Sequence, residues 1–177
     1  MILDGYKTIL KPVTQAHLEI LREWRNDPQI SQFMLSQDRI SEGQQQQWFN
    51  KISSDDTQQH WVIYFRGKPI GSANLKSVEG VRLQESRNIE PGLYIAEPSL
   101  RGNIIAFAPS LLLLDYCFDR LAAHQLQAQV KKTNTAALNY NKKLGYSIVK
   151  EGELIEIALQ KDDYIAATKQ IKSFLSR

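Results

Sequence analysis

Two short stretches of this sequence carry residue types whose spacing could do chemistry together. Glu90 stands at the head of Glu90-Pro91-Gly92-Leu93-Tyr94-Ile95, a strand-like run interrupted by one residue without an amide donor and one without a side chain. A carboxylate placed there is a candidate general base. A little further on comes Arg101-Gly102-Asn103-Ile104-Ile105-Ala106, immediately ahead of an apolar helical stretch. A turn that leads into a helix presents consecutive backbone amides, which gather an anionic group with help from the helix dipole. Gly102 lets the backbone come close to such a group, and Arg101 adds charge.

The elements that must position these residues follow from periodicity and punctuation. Alternating or β-branched runs predict strands at 6–11, 60–65, 69–77, 88–96, 125–130, 146–150 and 154–160. Arg66-Gly67-Lys68 marks a tight hairpin between the second and third, and Pro91-Gly92 predicts a bulge in the fourth. Thr14 opens a helix carrying Leu18, Leu21 and Trp24 that Asn26-Asp27-Pro28 closes, with a short helical turn over 29–33. Ser41 and Gln44 form a capping box for a helix reaching about residue 53. Leu111, Leu114, Phe118 and Leu121 keep helical spacing; this helix either starts at Asn103 and kinks at Pro109 or starts near Pro109. A helix over 134–144 ends at Gly145, and Asp162-Asp163 opens a last one over 164–175. The alternation predicts one α/β domain of the α+β type over 1–177, a mixed sheet of about seven strands with helices on both faces.

Composition excludes several classes. With 177 residues, 42% hydrophobic and 23% charged, the chain reads as one globular domain. A formal charge of +3 is too small to argue for nucleic acid. No apolar run is long enough to span a membrane, and the opening residues do not form a signal peptide, so a cytoplasmic protein is expected. Cys117 is alone and falls among the leucines of its helix; His17, His60 and His124 are scattered, so no metal is expected.

The stretch 93–146 resembles the GNAT superfamily of acyl-CoA-dependent N-acetyltransferases. Arg101 and Ala106 match the ends of that family's Gln/Arg-x-x-Gly-x-Gly/Ala loop, with Ile104 where its central glycine belongs. Asn134, Ala137, Gly145 and Tyr146 match Asn-x-x-Ala-x-x-x-Tyr-x-x-x-Gly-Phe, with Asn141 in place of the tyrosine. Leu21-Arg22-Glu23-Trp24-Arg25-Asn26-Asp27-Pro28, Met34, Ile40-Ser41 and Trp48-Phe49 resemble the pseudaminic-acid-pathway enzymes that acetylate a UDP-linked 4-amino-4,6-dideoxy sugar. The Trp-Arg-Asn segment is also similar to ribosomal-type protein N-terminal acetyltransferases.

The resemblance implies a mostly antiparallel sheet splayed between its fourth and fifth strands, with acetyl-CoA as co-substrate and no metal. Pantetheine would lie in the splay on the backbone of Leu93, Tyr94 and Ile95. Residues 101–106 and Asn134 would hold the phosphates. Glu90 would be the base, standing just before the splay where such enzymes often keep a carboxylate; the fifth-strand carboxylate of the sugar enzymes is replaced here by Gln129, and an amide cannot take a proton. Asn141 would hydrogen-bond the leaving sulfur, with Tyr140 turned away and packing. Arg25, Gln45, Asn74 and Tyr94 are the implied acceptor-site residues. Three functions stay open: acetylation of a nucleotide-linked amino sugar, acetylation of a protein or peptide N-terminus, and acyl-CoA binding with little catalysis. A monomer or homodimer fits each of them.

Overall fold

The computed structural model describes residues 1–176. Its sheet has eight strands: β1 (Leu3–Gly5), β2 (Thr8–Pro12), β3 (Gln58–Phe65), β4 (Lys68–Ser77), β5 (Asn88–Ile95), β6 (Gln125–Lys131), β7 (Ser147–Lys150) and β8 (Leu154–Gln160). They lie in the order β1-β2-β3-β4-β5-β6-β8-β7, antiparallel throughout except between β5 and β6. The helices are α1 (Leu18–Asn26), α2 (Pro28–Ser31), α3 (Glu42–Ser53), α4 (Ala108–Asp115), α5 (Thr135–Lys143) and α6 (Lys161–Leu175).

The first strand expected at 6–11 is in fact a hairpin. Tyr6 and Lys7 form its two-residue turn with φ of 50° and 67°, between the paired Gly5 and Thr8. Side chains rarely adopt that left-handed region, and the sequence gives no glycine to announce it. The Tyr6 hydroxyl offsets the strain by donating to Asp115 on α4. The same carboxylate accepts from Tyr164 at 2.6 Å and pairs with Lys172 at 2.7 Å, so the hairpin, α4 and α6 share one charged node.

The bulge expected at Pro91-Gly92 is absent: β4 and β5 pair in unbroken register from Gly71↔Ile95 to Ser77↔Ile89. The irregularity lies in the neighbouring hairpin, where Ile63 and Tyr64 oppose Gly71 and Pro69 and leave Ile70 as the extra residue. The helix of the leucines begins at Ala108 with Pro109 in its first turn, where a missing amide costs nothing. It widens into a π turn over Tyr116–Arg120.

One face of the sheet carries the main core. Trp61, Ile63, Leu75, Ile89, Leu126, Ile157 and Leu159 pack with Leu111, Leu114, Cys117 and Phe118. The alternate residues face the other way, as strand periodicity requires. There His60 meets Trp48 edge-on at 5.1 Å, and Tyr94 meets Trp24 at 6.3 Å. Between α2 and α3, the segment 32–39 crosses this second face. Asn26 closes its base, donating to the Ile40 carbonyl at 2.9 Å and accepting from the Ile40 amide at 2.7 Å.

Candidate active site

The site begins with a missing hydrogen-bond donor. β5 and β6 pair only at Asn88↔Gln125 and Ile89↔Leu126. The register with β4 fixes which way each β5 residue points: the Ala96 amide donates to Ile70 and the Asn88 carbonyl accepts from Val78, so even-numbered groups serve β4. Odd-numbered groups serve β6, as the Arg87 carbonyl does for the amides of His124 and Gln125. The next rung toward β6 therefore needs an amide at residue 91, and residue 91 is proline. The ladder stops there and the strands part. Leu93 keeps its amide and carbonyl on the open edge, while the Ile95 carbonyl is taken by Arg101 Nε at 3.0 Å. Of the three residues expected to supply backbone groups, Tyr94 directs its own into the β4 ladder.

The gap opens into a cavity of about 750 Å³ walled by β5, β6, the loop before α4, α5 and the α1–α2 region. Gly102, with φ of +75°, turns the loop. Asn103 caps the following 3₁₀ turn, its side chain accepting from the Ile105 amide at 3.1 Å. Arg101, Gly102, Asn103 and Ala106 line the cavity. Ile104 and Ile105 do not: Ile104 turns to solvent and Ile105 packs against the core, because a 3₁₀ turn sends successive side chains to different sides. The branched residue at 104 is therefore accommodated without a left-handed backbone.

Asn134 caps α5 by accepting from the Ala137 amide at 3.1 Å, and Gly145 ends the helix region at φ of +106°. Both Asn134 and Asn141 line the cavity. Asn141 spends one of its two N–H donors on the Ala137 carbonyl, at 2.9 Å. Tyr140 stacks on Phe107 at 4.6 Å, donates to the Ala106 carbonyl at 2.8 Å and meets Ser110 Oγ at 2.6 Å. That hydroxyl braces the loop, and burial holds it protonated far above the ordinary tyrosine range.

On the facing wall stand Arg25, Asn74 and Tyr94, with Phe33, Met34 and Leu35 of the crossing segment. Arg25 Nε is fully enclosed and has no partner among the described residues. Burial pushes Tyr94 up to about 12, and the Arg25 charge opposes that rise. Gly92 makes room for Asn74: a Cβ there would lie 2.9 Å from the Asn74 amide oxygen.

Two expected residues are not brought into this cavity. Gln45 is buried on the sheet-facing side of α3, because that helix turns it inward. Glu90 is exposed on β5, opposite Lys76, outside the cavity lining. Its charge still reaches Tyr146, where it adds to the effect of burial in raising that hydroxyl far above its ordinary range. Tyr146 and Ser110 line the cavity and were not expected there. The only hint in the sequence was Tyr146 itself, a hydroxyl-bearing residue where the family signature ends in phenylalanine.

Residues 7–147 match the acetyltransferase (GNAT) domain family. The N-acetyltransferase 9-like protein of Nematostella vectensis is 25% identical over 172 residues, covering 90% of this chain and 85% of that protein. Acetyltransferase PseH of Campylobacter jejuni is 25% identical over 147 residues, covering 82% of this chain and 87% of its own length. Among solved structures, spermidine N-acetyltransferase from Vibrio cholerae with CoA and spermine matches with a TM-score of 0.76 and 18% identity, over 91% of this chain and 99% of that one. Aminoglycoside acetyltransferase AAC(6')-Ib with coenzyme A and kanamycin matches with a TM-score of 0.74 and 16% identity, over 92% and 98%. The structural likenesses establish the fold. Because the family match spans most of its length, the chain belongs to the GNAT acetyltransferases.

Proposed function

We propose that this protein transfers an acetyl group from acetyl-CoA to the amine of a small molecule, and that the acceptor is a nucleotide-linked amino-deoxy sugar. The observation that carries the acceptor class is the charge of the cavity. Among the described residues its wall includes Arg25, Arg101, Lys131 and Lys143 and no Asp or Glu. A polycationic acceptor would meet only like charge there, whereas a diphosphate is attracted. Arg101 and Lys143, on the loop and α5, serve the phosphates of CoA together with the loop amides and Asn134. Arg25 stands on the opposite wall and is left for the acceptor. Arg25 lines that wall, and its guanidinium charge is what a phosphate of the acceptor would meet there.

The remaining residues divide the chemistry. Leu93 binds the pantetheine arm by strand addition, and its amide polarises the thioester carbonyl. Glu90, solvent-exposed beside the gap, takes the ammonium proton through water. Asn74 and Tyr94 orient the acceptor, so much of the rate comes from positioning.

Thiol release from acetyl-CoA is the test, measured with a UDP-linked 4-amino-4,6-dideoxy sugar, with spermidine and with N-terminal peptides. Turnover confined to the nucleotide sugar is expected. Preference for either other acceptor overturns the assignment, and tight acetyl-CoA binding without thiol release on any acceptor points to a binding module. Glu90→Gln lowers turnover about tenfold or more near pH 7 with acetyl-CoA affinity unchanged; an unaltered rate removes Glu90 from the mechanism.

A further inference from the structure

We infer that the Tyr146 hydroxyl is a catalytic hydrogen-bond donor to the leaving sulfur, filling the role of the tyrosine that position 141 lacks; this rests on the acetyl-CoA reading above. Tyr146 follows the left-handed Gly145, and its amide donates to the Asn141 carbonyl at 3.2 Å, so the two residues belong to one corner of the cavity. The ring is 7% exposed and packed in the core, yet its hydroxyl forms no hydrogen bond among the described residues. Arg25 Nε is the one fully enclosed side-chain polar atom left unpaired among them. The Tyr146 hydroxyl is therefore not fully enclosed, and its side chain lines the cavity. The other two tyrosines of the cavity are otherwise placed. Tyr140 already donates its hydroxyl hydrogen bond to the Ala106 carbonyl, and Tyr94 lies on the far wall with Trp24 and Arg25.

Burial, with the charge of Glu90 behind it, keeps the Tyr146 proton in place at neutral pH, so the group acts as a standing donor rather than as an acid. The acceptor nitrogen bonds to the thioester carbonyl carbon, and the carbon–sulfur bond breaks with its electron pair on sulfur. The proton first taken by the exposed Glu90 leaves to solvent, and the surplus proton on nitrogen after attack passes through water to that sulfur. Tyr146 keeps its own proton throughout and stabilises the sulfur while it is negative.

Wild type and Tyr146→Phe, each saturated with free CoA, are titrated with pH while the ultraviolet absorbance of the thiolate is followed. Phenylalanine is the residue the family signature carries here, so the variant keeps the packing. The bound thiol of the wild type is expected to ionise about one pH unit lower than that of the variant. With acceptor present, Tyr146→Phe lowers kcat about tenfold at unchanged KM for acetyl-CoA, and adding Asn141→Tyr restores the rate. Superimposable titrations, or a variant with wild-type kcat, overturn the inference. Failure of the wild type to bind CoA overturns it together with the carrier reading. A thiol shift without turnover on any acceptor supports Tyr146 and overturns only the choice of acceptor.

Discussion

The two edges of β5 are made from the same few residues and behave in opposite ways. Toward β4, Ile89 to Ile95 pair without a break, and Gly71 lets the strands approach so closely that a Cβ would lie 2.2 Å from the Tyr94 carbonyl oxygen. Toward β6, pairing stops after Ile89. The closed side saturates its polar groups; the open side keeps a free strand edge at Leu93, an unpaired Arg25 Nε and a free Tyr146 hydroxyl. A single proline separates the two regimes, and the capacity to bind lies where internal pairing was withheld.

The comparison can be broken most severely from the closed side. Gly71→Ala forces the β4–β5 ladder apart and is expected to cost about 3 kcal/mol or more of stability, read as a lowered denaturation midpoint. A midpoint within about 0.5 kcal/mol of wild type would show that this edge is less tightly closed than its geometry states.

The buried His60 tests the same side through pH. Burial pushes it down to about 4 from an ordinary value near 6.5. Between those values the unfolded chain binds a proton that the folded chain refuses. Stability is therefore full above about pH 6.5 and falls by about 3 kcal/mol as pH drops to about 4. His60→Gln flattens that slope; an identical slope in the variant places its origin elsewhere.

On the open side, Arg25→Met should raise the KM for an anionic acceptor by tens of fold, about 2 kcal/mol, while stability stays level or rises because an unpaired buried donor has gone. Reduced stability with unchanged KM would move Arg25 to the structural side. The smallest effect is expected from Pro91→Ala. It restores the amide that the next β5–β6 rung needs and weakens CoA binding about tenfold by calorimetry. Tighter binding would mean that the proline is not what holds the gap open.

Much of this architecture was legible because its signals are local. The Ser41–Gln44 box forms reciprocally, at 3.1 and 2.8 Å, and Arg66-Gly67 turns the β3–β4 hairpin with both φ values positive. Asn134 and Gly145 bracket α5 as their types dictate. The misses share one cause: local chemistry does not say which way a group faces. Proline 91 announced a missing donor, but only the β4 register shows that this donor would have faced β6. Gln45 and Glu90 have the right types for a site, yet neither lines the cavity: Gln45 is buried under its helix and Glu90 is exposed beside the gap. Tyr6 and Lys7 adopt a backbone that their side chains disfavour, held by a partner far along the chain.

The paired hydrogen bonds between Asn26 and Ile40 act as a buckle at the root of the segment carrying Phe33, Met34 and Leu35. They tie the far end of that segment back to α1, so its two roots are held together. The rim of the cavity can be refitted to a different guest by altering a handful of side chains, without disturbing the helices on either side.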